Sequence, residues 1–386
     1  MKKLNADKQF IMELNDQDVH LLLELALGKS KTPGQKLPEK TGIWFEDEIC
    51  GLSNDAQAAL SEAEEKLKFF KDSNTVEKKW LRYARKFGSM KLKKPEQFEQ
   101  ESDPKMLYQK LRLFCLKNDF PVEIISQVVP FLVGYMETGR IRPIILIGDK
   151  GSGKTTCARC LMEFALSLPV EIIKVPESAN GHGLTGDCQT YKSADLGSIA
   201  KAQYKNESLI LGLVIDEIDK VPNSTSQATI DDELLSITDE SVFTVEDKYL
   251  ESRLVGLPYC PIMMTGNELS HVNPVLADRC TIIQYPNPTP DRMKSIMKKY
   301  AEQRLKETVY SSVSLDVSLM FDCIDRLLTM GISSIRQHQQ VLESVLNKAF
   351  VLSTETESTK KTAVTRSMFD GAAREIMGNS QRHVGF

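Results

Sequence analysis

Five short apolar runs rich in β-branched residues punctuate the middle of this chain. They are Pro143-Ile144-Ile145-Leu146-Ile147, Val170 to Val175, Leu209 to Ile215, Pro261 to Thr265, and Thr281-Ile282-Ile283. Runs of this length bounded by turn residues predict buried strands. Between the first two, Ala158, Leu161, Met162 and Ala165 recur at helical spacing from Thr155 to Leu168. Alternation of strand and helix predicts a mostly parallel sheet with helices on both faces, an α/β architecture.

The flanks carry only helical patterns. Residues 1–30 read as helix, with Leu21, Leu22, Leu25 and Ala26 in an apolar stretch that Gly28 ends, and residues 31–43 as a connector. Ala56, Leu60, Ala63, Leu67 and Phe70 repeat at three and four residues, as do Val76, Trp80, Tyr83 and Phe87. Two amphipathic helices, as a helical hairpin or a short coiled coil, account for both stripes. Pro95 to Pro104 reads as a polar linker, and Asp103-Pro104 as a cap with proline in the first turn. Helices over 104–118 and 121–138, the second bent at Pro130, lead into the first strand. Beyond Pro286, Pro288 and Pro290, helices are expected at 290–306, 315–329, 334–351 and 366–377. The expected division is an all-helical N-terminal region (1–103), a large α/β domain with its preceding helices (104–289), and a C-terminal helical domain (290–386).

Composition narrows the function. A chain of 386 residues, 41% hydrophobic and 26% charged, is an ordinary globular protein of two or three domains. A net charge of −4 weighs against global attraction to nucleic acid. The stretch Lys66 to Lys94 is basic with interleaved aromatics, so a nucleic-acid surface there is the alternative reading. Trp80, Tyr83 and Phe87 nevertheless fall on the apolar stripe and the lysines mostly off it, the pattern of a core stripe with a solvated face. No apolar run approaches bilayer length, and Met1-Lys2-Lys3-Leu4-Asn5 turns polar too soon for a secretory signal; the expected compartment is the cytoplasm, with no membrane partner. Of eight cysteines only Cys157 and Cys160 are close, inside the predicted helix, and read as packing thiols. His20, His182, His271, His338 and His383 show no metal or triad spacing. Asp231, Asp232 and Glu233 read as the charged first turn of a helix.

The chemistry concentrates after the first strand. Gly148-Asp149-Lys150-Gly151-Ser152-Gly153-Lys154-Thr155, followed by Thr156, fits Gly-x-x-x-x-Gly-Lys-Thr between a strand and a helix. Glycines let the backbone curl its N–H groups around a polyphosphate at a helix N-terminus. Lys154 then reaches the β- and γ-phosphates, and Thr155 offers its hydroxyl to Mg²⁺. The third strand ends in Asp216-Glu217: Asp216 is placed to hold Mg²⁺ through water and Glu217 to deprotonate the attacking water. Asn267, after the fourth strand, suits the other side of that water. Arg279, before the fifth, suits a subunit edge, where it would stabilise charge on a neighbour's γ-phosphate. Arg336 opens a late helix and suits the same nucleotide in cis.

Together these features resemble the AAA+ ATPases, and residues 120–380 resemble the ATPase module of the Lon family. The resemblance rests on Leu213-Val214-Ile215-Asp216-Glu217-Ile218-Asp219-Lys220, Glu233-Leu234-Leu235-Ser236-Ile237-Thr238-Asp239, Asp247-Lys248-Tyr249-Leu250 and Leu276-Ala277-Asp278-Arg279. Thr190-Tyr191-Lys192-Ser193-Ala194-Asp195-Leu196-Gly197 matches the segment that carries the central-pore loop. The resemblance implies a P-loop AAA+ sheet with a C-terminal helical lid, and a homo-oligomeric ring of six subunits with ATP between neighbours. It further implies threading of a protein substrate past Tyr191 and Lys192. The family's loop has Tyr, a hydrophobic residue and Gly; here Lys192 and Ser193 follow Tyr191, a more polar grip. The chain ends soon after the lid with no Ser-Lys protease domain, so ATP hydrolysis without peptidase activity is expected, any proteolysis needing a partner enzyme. A nucleotide-gated scaffold using residues 66–94 on nucleic acid is the alternative.

Overall fold

The computed structural model describes residues 49–69, 75–92, 104–179, 183–191, 193–220, 230–239, 245–355 and 361–382. The helix expected over 1–30, the 31–43 connector, Phe70, residues 95–103 of the linker, Asp103 included, and Lys192 lie outside them. So do His20, His182, His383 and the side chains of Leu67 and Val76. The described residues form two compact units. One takes those up to Phe114, with Val122–Ile147 and Thr155–Gln284; the other takes Cys115–Pro121, Gly148–Lys154 and those from Tyr285 onward.

The first unit is built on five parallel strands: β1 (Ile144–Ile147), β2 (Val170–Lys174), β3 (Gly212–Asp216), β4 (Ile262–Gly266) and β5 (Thr281–Gln284). Their order is β2-β3-β4-β1-β5. Every residue of β1 and β4, and all of β3 but Asp216, is buried, which is why these inner strands read as unbroken apolar runs. The edge strands differ: β2 exposes Ile172 and Lys174, and β5 exposes Thr281 and Gln284. Polar and charged positions suit an edge, where backbone groups would otherwise recruit another strand. Register sets Ile145 beside Met264 and Ile282, so β1 sits between β4 and β5.

Helices of this unit include Asn54–Phe69, Thr75–Ser89 and Ile125–Thr138. The last begins four residues later than the pattern predicts, because Val122 to Ile124 form a turn first. It is buried almost all round, keeps Pro130 inside it, and ends on Gly139 at φ 73°, whose N–H returns to Tyr135. Ser198–Asn206, a helix too short and mixed for the sequence pattern to announce, lies between β2 and β3. The expected hairpin stripe is core: Trp80, Tyr83 and Phe87 are buried. The Trp80 indole N–H donates to Leu250 O at 3.2 Å, and the Tyr83 ring meets Tyr204 and Tyr249 edge-on.

The second unit packs helices Pro290–Arg304, Val317–Thr329, Ile335–Glu355 and Arg366–Arg382 around Met293, Met297, Ile324, Val345, Leu346 and Phe369. Thr289 and Asp316 cap the first two through side-chain oxygens, as capping chemistry requires. Among the described residues no helix is long and apolar enough to cross a membrane.

Candidate functional site

The loop after β1 carries the phosphate-binding pattern, and its geometry follows from its glycines. Gly151 and Gly153 hold φ of 75° and 98°, the left-handed region that a side chain resists. At Gly148 a Cβ would stand 2.5 Å from Tyr285 O. Lys154 opens the helix Lys154–Leu166 and is only 7% exposed. Its ammonium donates to the carbonyls of Gly148 and Asp149 at 2.7 and 2.9 Å. The cation is therefore stored on its own loop, by bonds an anion in the cradle would take over. Ser152 Oγ is buried and makes no hydrogen bond among the described residues, an orphaned polar atom inside the cradle. Asp149, Lys150 and Thr156 are exposed, and the Asn287 amide donates to Asp149 Oδ2 at 2.5 Å.

The start of helix Ile335–Glu355 rests on this loop. The Ile335 N–H donates to Gly151 O at 3.0 Å, and a Cβ at Gly151 would meet Ser334 Oγ at 2.2 Å and the Arg336 Cβ at 3.5 Å. Arg336 is thus held next to the cradle with an exposed side chain. His338, one turn on, is buried with Nδ1 at 3.1 Å from Ser334 O; burial pushes its pKa below the usual range, so it stays neutral and structural.

In the other unit the two carboxylates at the end of β3 part company. Asp216 Oδ1 accepts the Thr155 hydroxyl at 2.8 Å and also the Thr265 hydroxyl. A serine or threonine hydroxyl beside a carboxylate is the oxygen-only donor set that Mg²⁺ takes, one or two protein ligands being completed by phosphates and water. Glu217 lies just past the strand at φ 63°. A left-handed conformation in a non-glycine residue costs about 1–3 kcal/mol and gathers at functional positions. Its carboxylate pairs with Lys220 at 2.5 Å, both side chains being about one-third exposed or more. Asn267 follows β4, and both its backbone N–H and its amide N–H donate to Asp219. Arg279 is engaged inside its own chain, donating to Leu235 O at 2.5 Å and pairing with Asp239 at 3.0 Å.

Three groups of consequence are not evident from the motif reading. Thr265 and Asp219 are visible in sequence only as a polar residue within an apolar strand and a third acid in Asp216-Glu217-Ile218-Asp219. Glu233 stands in the charged first turn of helix Ile230–Ile237, as the sequence predicts, and makes contacts that the sequence does not announce. It is 9% exposed and accepts from Leu184 N–H at 2.7 Å and the Thr185 hydroxyl at 2.5 Å.

The segment holding Tyr191 is pinned from beneath. Asp247, fully buried, accepts N–H bonds from Gly197, Tyr249 and Leu250 at 2.8, 3.1 and 2.8 Å. Desolvation raises its pKa to about 6 in spite of those donors. Tyr191 stands 65% exposed, its carbonyl accepting from Ala194 N–H. The basic hairpin also spends charge here. Lys79 reaches Asp195 and Ala194 O, while Arg85 and Lys86 pair with Glu64 and Glu207. These three cations are engaged by carboxylates of the same unit.

Residues 144–288 match the model of the family described as "ATPase family associated with various cellular activities (AAA)". Curated relatives include a mitochondrial Lon protease homolog of Yarrowia lipolytica, 26% identical over 238 residues, covering 59% of this chain and 20% of that protein. The Lon protease of Syntrophus aciditrophicus is 28% identical over 183 residues, covering 46% of this chain and 23% of the relative. A Lon protease homolog of Acanthamoeba polyphaga mimivirus is 25% identical over 211 residues, covering 53% and 20%. The chain spans between a fifth and a quarter of the length of these relatives.

Proposed function

Because this chain carries an AAA+ ATPase module of the Lon type, we propose that it hydrolyses ATP in a homo-oligomeric ring and uses the energy to remodel or thread a protein. The observation that carries the reading is the Thr155 hydroxyl hydrogen-bonded to Asp216 at the end of a buried strand, with Glu217 next in a strained conformation. In this reading Gly148 to Thr156 cradle the phosphates, and Lys154 exchanges its two loop carbonyls for phosphate oxygens. Thr155 and Asp216 hold Mg²⁺, which supplies neutralisation of the triphosphate's charge. Glu217 leaves Lys220 and takes a proton from the attacking water, whose oxygen bonds to the γ-phosphorus as the bond from that phosphorus to the ADP oxygen breaks, giving phosphate and ADP. Asn267 orients that water, Arg336 senses the nucleotide in cis, and Arg279 trades Asp239 for a neighbouring subunit's γ-phosphate. Tyr191 and Lys192 grip the polypeptide, and a ring of six is the expected assembly.

Glu217→Gln tests the core of this. It should retain ATP while turnover falls by about 10²–10⁴-fold, the share a general base supplies. Parental turnover in that variant would remove Glu217 from the role. ATP-dependent unfolding of a tagged substrate, lost in Tyr191→Ala with hydrolysis retained, tests threading. Particle images with a non-hydrolysable ATP analogue test the ring.

A further inference from the structure

We infer that Asp219 is the positioning residue for Asn267, an inference that rests on the ATPase reading above. One oxygen of Asp219, Oδ2, accepts two hydrogen bonds from Asn267: the backbone N–H at 3.1 Å and the side-chain amide at 3.0 Å. Either bond alone would leave the asparagine a rotational freedom. Together they fix its backbone and its side-chain torsions at once. A charged acceptor strengthens both bonds, since one neutral oxygen shared by two donors binds each less strongly. They also decide which way the amide faces, because a carboxylate accepts and cannot donate, so the nitrogen has to turn toward Asp219.

Asp219 is itself held firmly. It sits in the single helical turn Ile218–Lys220 that follows Glu217, anchored by the buried Ile218 and closed by Lys220 N–H donating to Glu217 O at 3.0 Å. Its second oxygen is buried beside Gly266, 3.6 Å from where a Cβ there would stand. The carboxylate therefore ties the turn after β3, which bears the base, to the end of β4, which bears Asn267. Two groups that must face one water molecule are set by one side chain. Lys220, in the same turn, is turned to Glu217 instead.

The test measures ATP turnover and the affinity for a fluorescent ATP analogue in the full chain, for the parent, D219A, D219N, N267A and D219A/N267A. D219A should lower kcat by about 10²-fold, the scale of a misplaced catalytic group, with analogue affinity within about threefold of the parent. D219N, which keeps an oxygen acceptor in place, should recover part of that loss. The double variant should be no slower than N267A, as expected of residues acting as one unit. A D219A enzyme at the parental rate, losses that multiply in the double variant, or no recovery in D219N would each overturn the inference. Hydrogen exchange at the Asn267 amide reads the contact without turnover: it should speed up in D219A, and unchanged exchange overturns the inference. A parent that fails to hydrolyse ATP defeats the underlying ATPase reading instead, and is distinguished by being measured first.

Discussion

Gly151→Ala probes a place where the phosphate cradle and the helix bearing Arg336 touch. Two costs can be read from the structure. The backbone holds φ at 75°, and placing a Cβ in that region costs about 1–2 kcal/mol. The Cβ would also stand 2.2 Å from Ser334 Oγ, so Ser334 must move. Moving it breaks the 3.0 Å bond from Ile335 N–H to Gly151 O, worth about 1 kcal/mol. The total is about 2–3 kcal/mol, or a fall of about 10 °C in the melting of the helical unit at roughly 4 °C or more per kcal/mol. Adding Ser334→Ala removes the clashing oxygen and leaves the Ser334 Cβ position at 3.3 Å, tight but tolerable. The pair should therefore regain about 1 kcal/mol, the clash share, and keep the backbone cost. The assay is thermal unfolding of the parent, both single variants and the pair, with and without ATP and magnesium. A Gly151→Ala protein that melts with the parent, or a pair that regains nothing beyond the effect of Ser334→Ala alone, would refute the contact.

Other expectations are measurable in the same way. Asp247 should make stability fall as pH rises: its folded pKa of about 6 lies above the ordinary 3.8, so the folded state holds the proton more tightly. Its contribution is full below pH 3.8 and is lost as pH rises through 6, about 3 kcal/mol in all. The parent should thus lose stability relative to Asp247→Asn between pH 4 and pH 7 by roughly this amount, and a difference that does not vary with pH would contradict it. Trp80→Phe keeps the ring but orphans Leu250 O, which should cost about 1–2 kcal/mol in denaturant unfolding; no change would mean the hairpin is not anchored there.

Much of this protein could be read before any coordinates. Strands buried on both faces must be continuous apolar runs, and β1, β3 and β4 announce themselves for that reason. The Gly-rich loop is legible because positive φ at Gly151 and Gly153 and the close backbone at Gly148 admit no other residue well. Trp80, Tyr83 and Phe87 declare a buried helix face by spacing alone. What the pattern could not carry is anything fixed by contacts between residues distant in sequence. Whether Glu233 faces water or the Leu184–Thr185 turn, whether Asp247 is a surface acid or a buried clamp, and which acid holds Asn267 depend on what packs opposite. A carboxylate has the same letter in either place. Its burial, its partners and therefore its pKa belong to the tertiary structure, because they are set by desolvation and, at Asp247, by an N–H group 50 residues away along the chain.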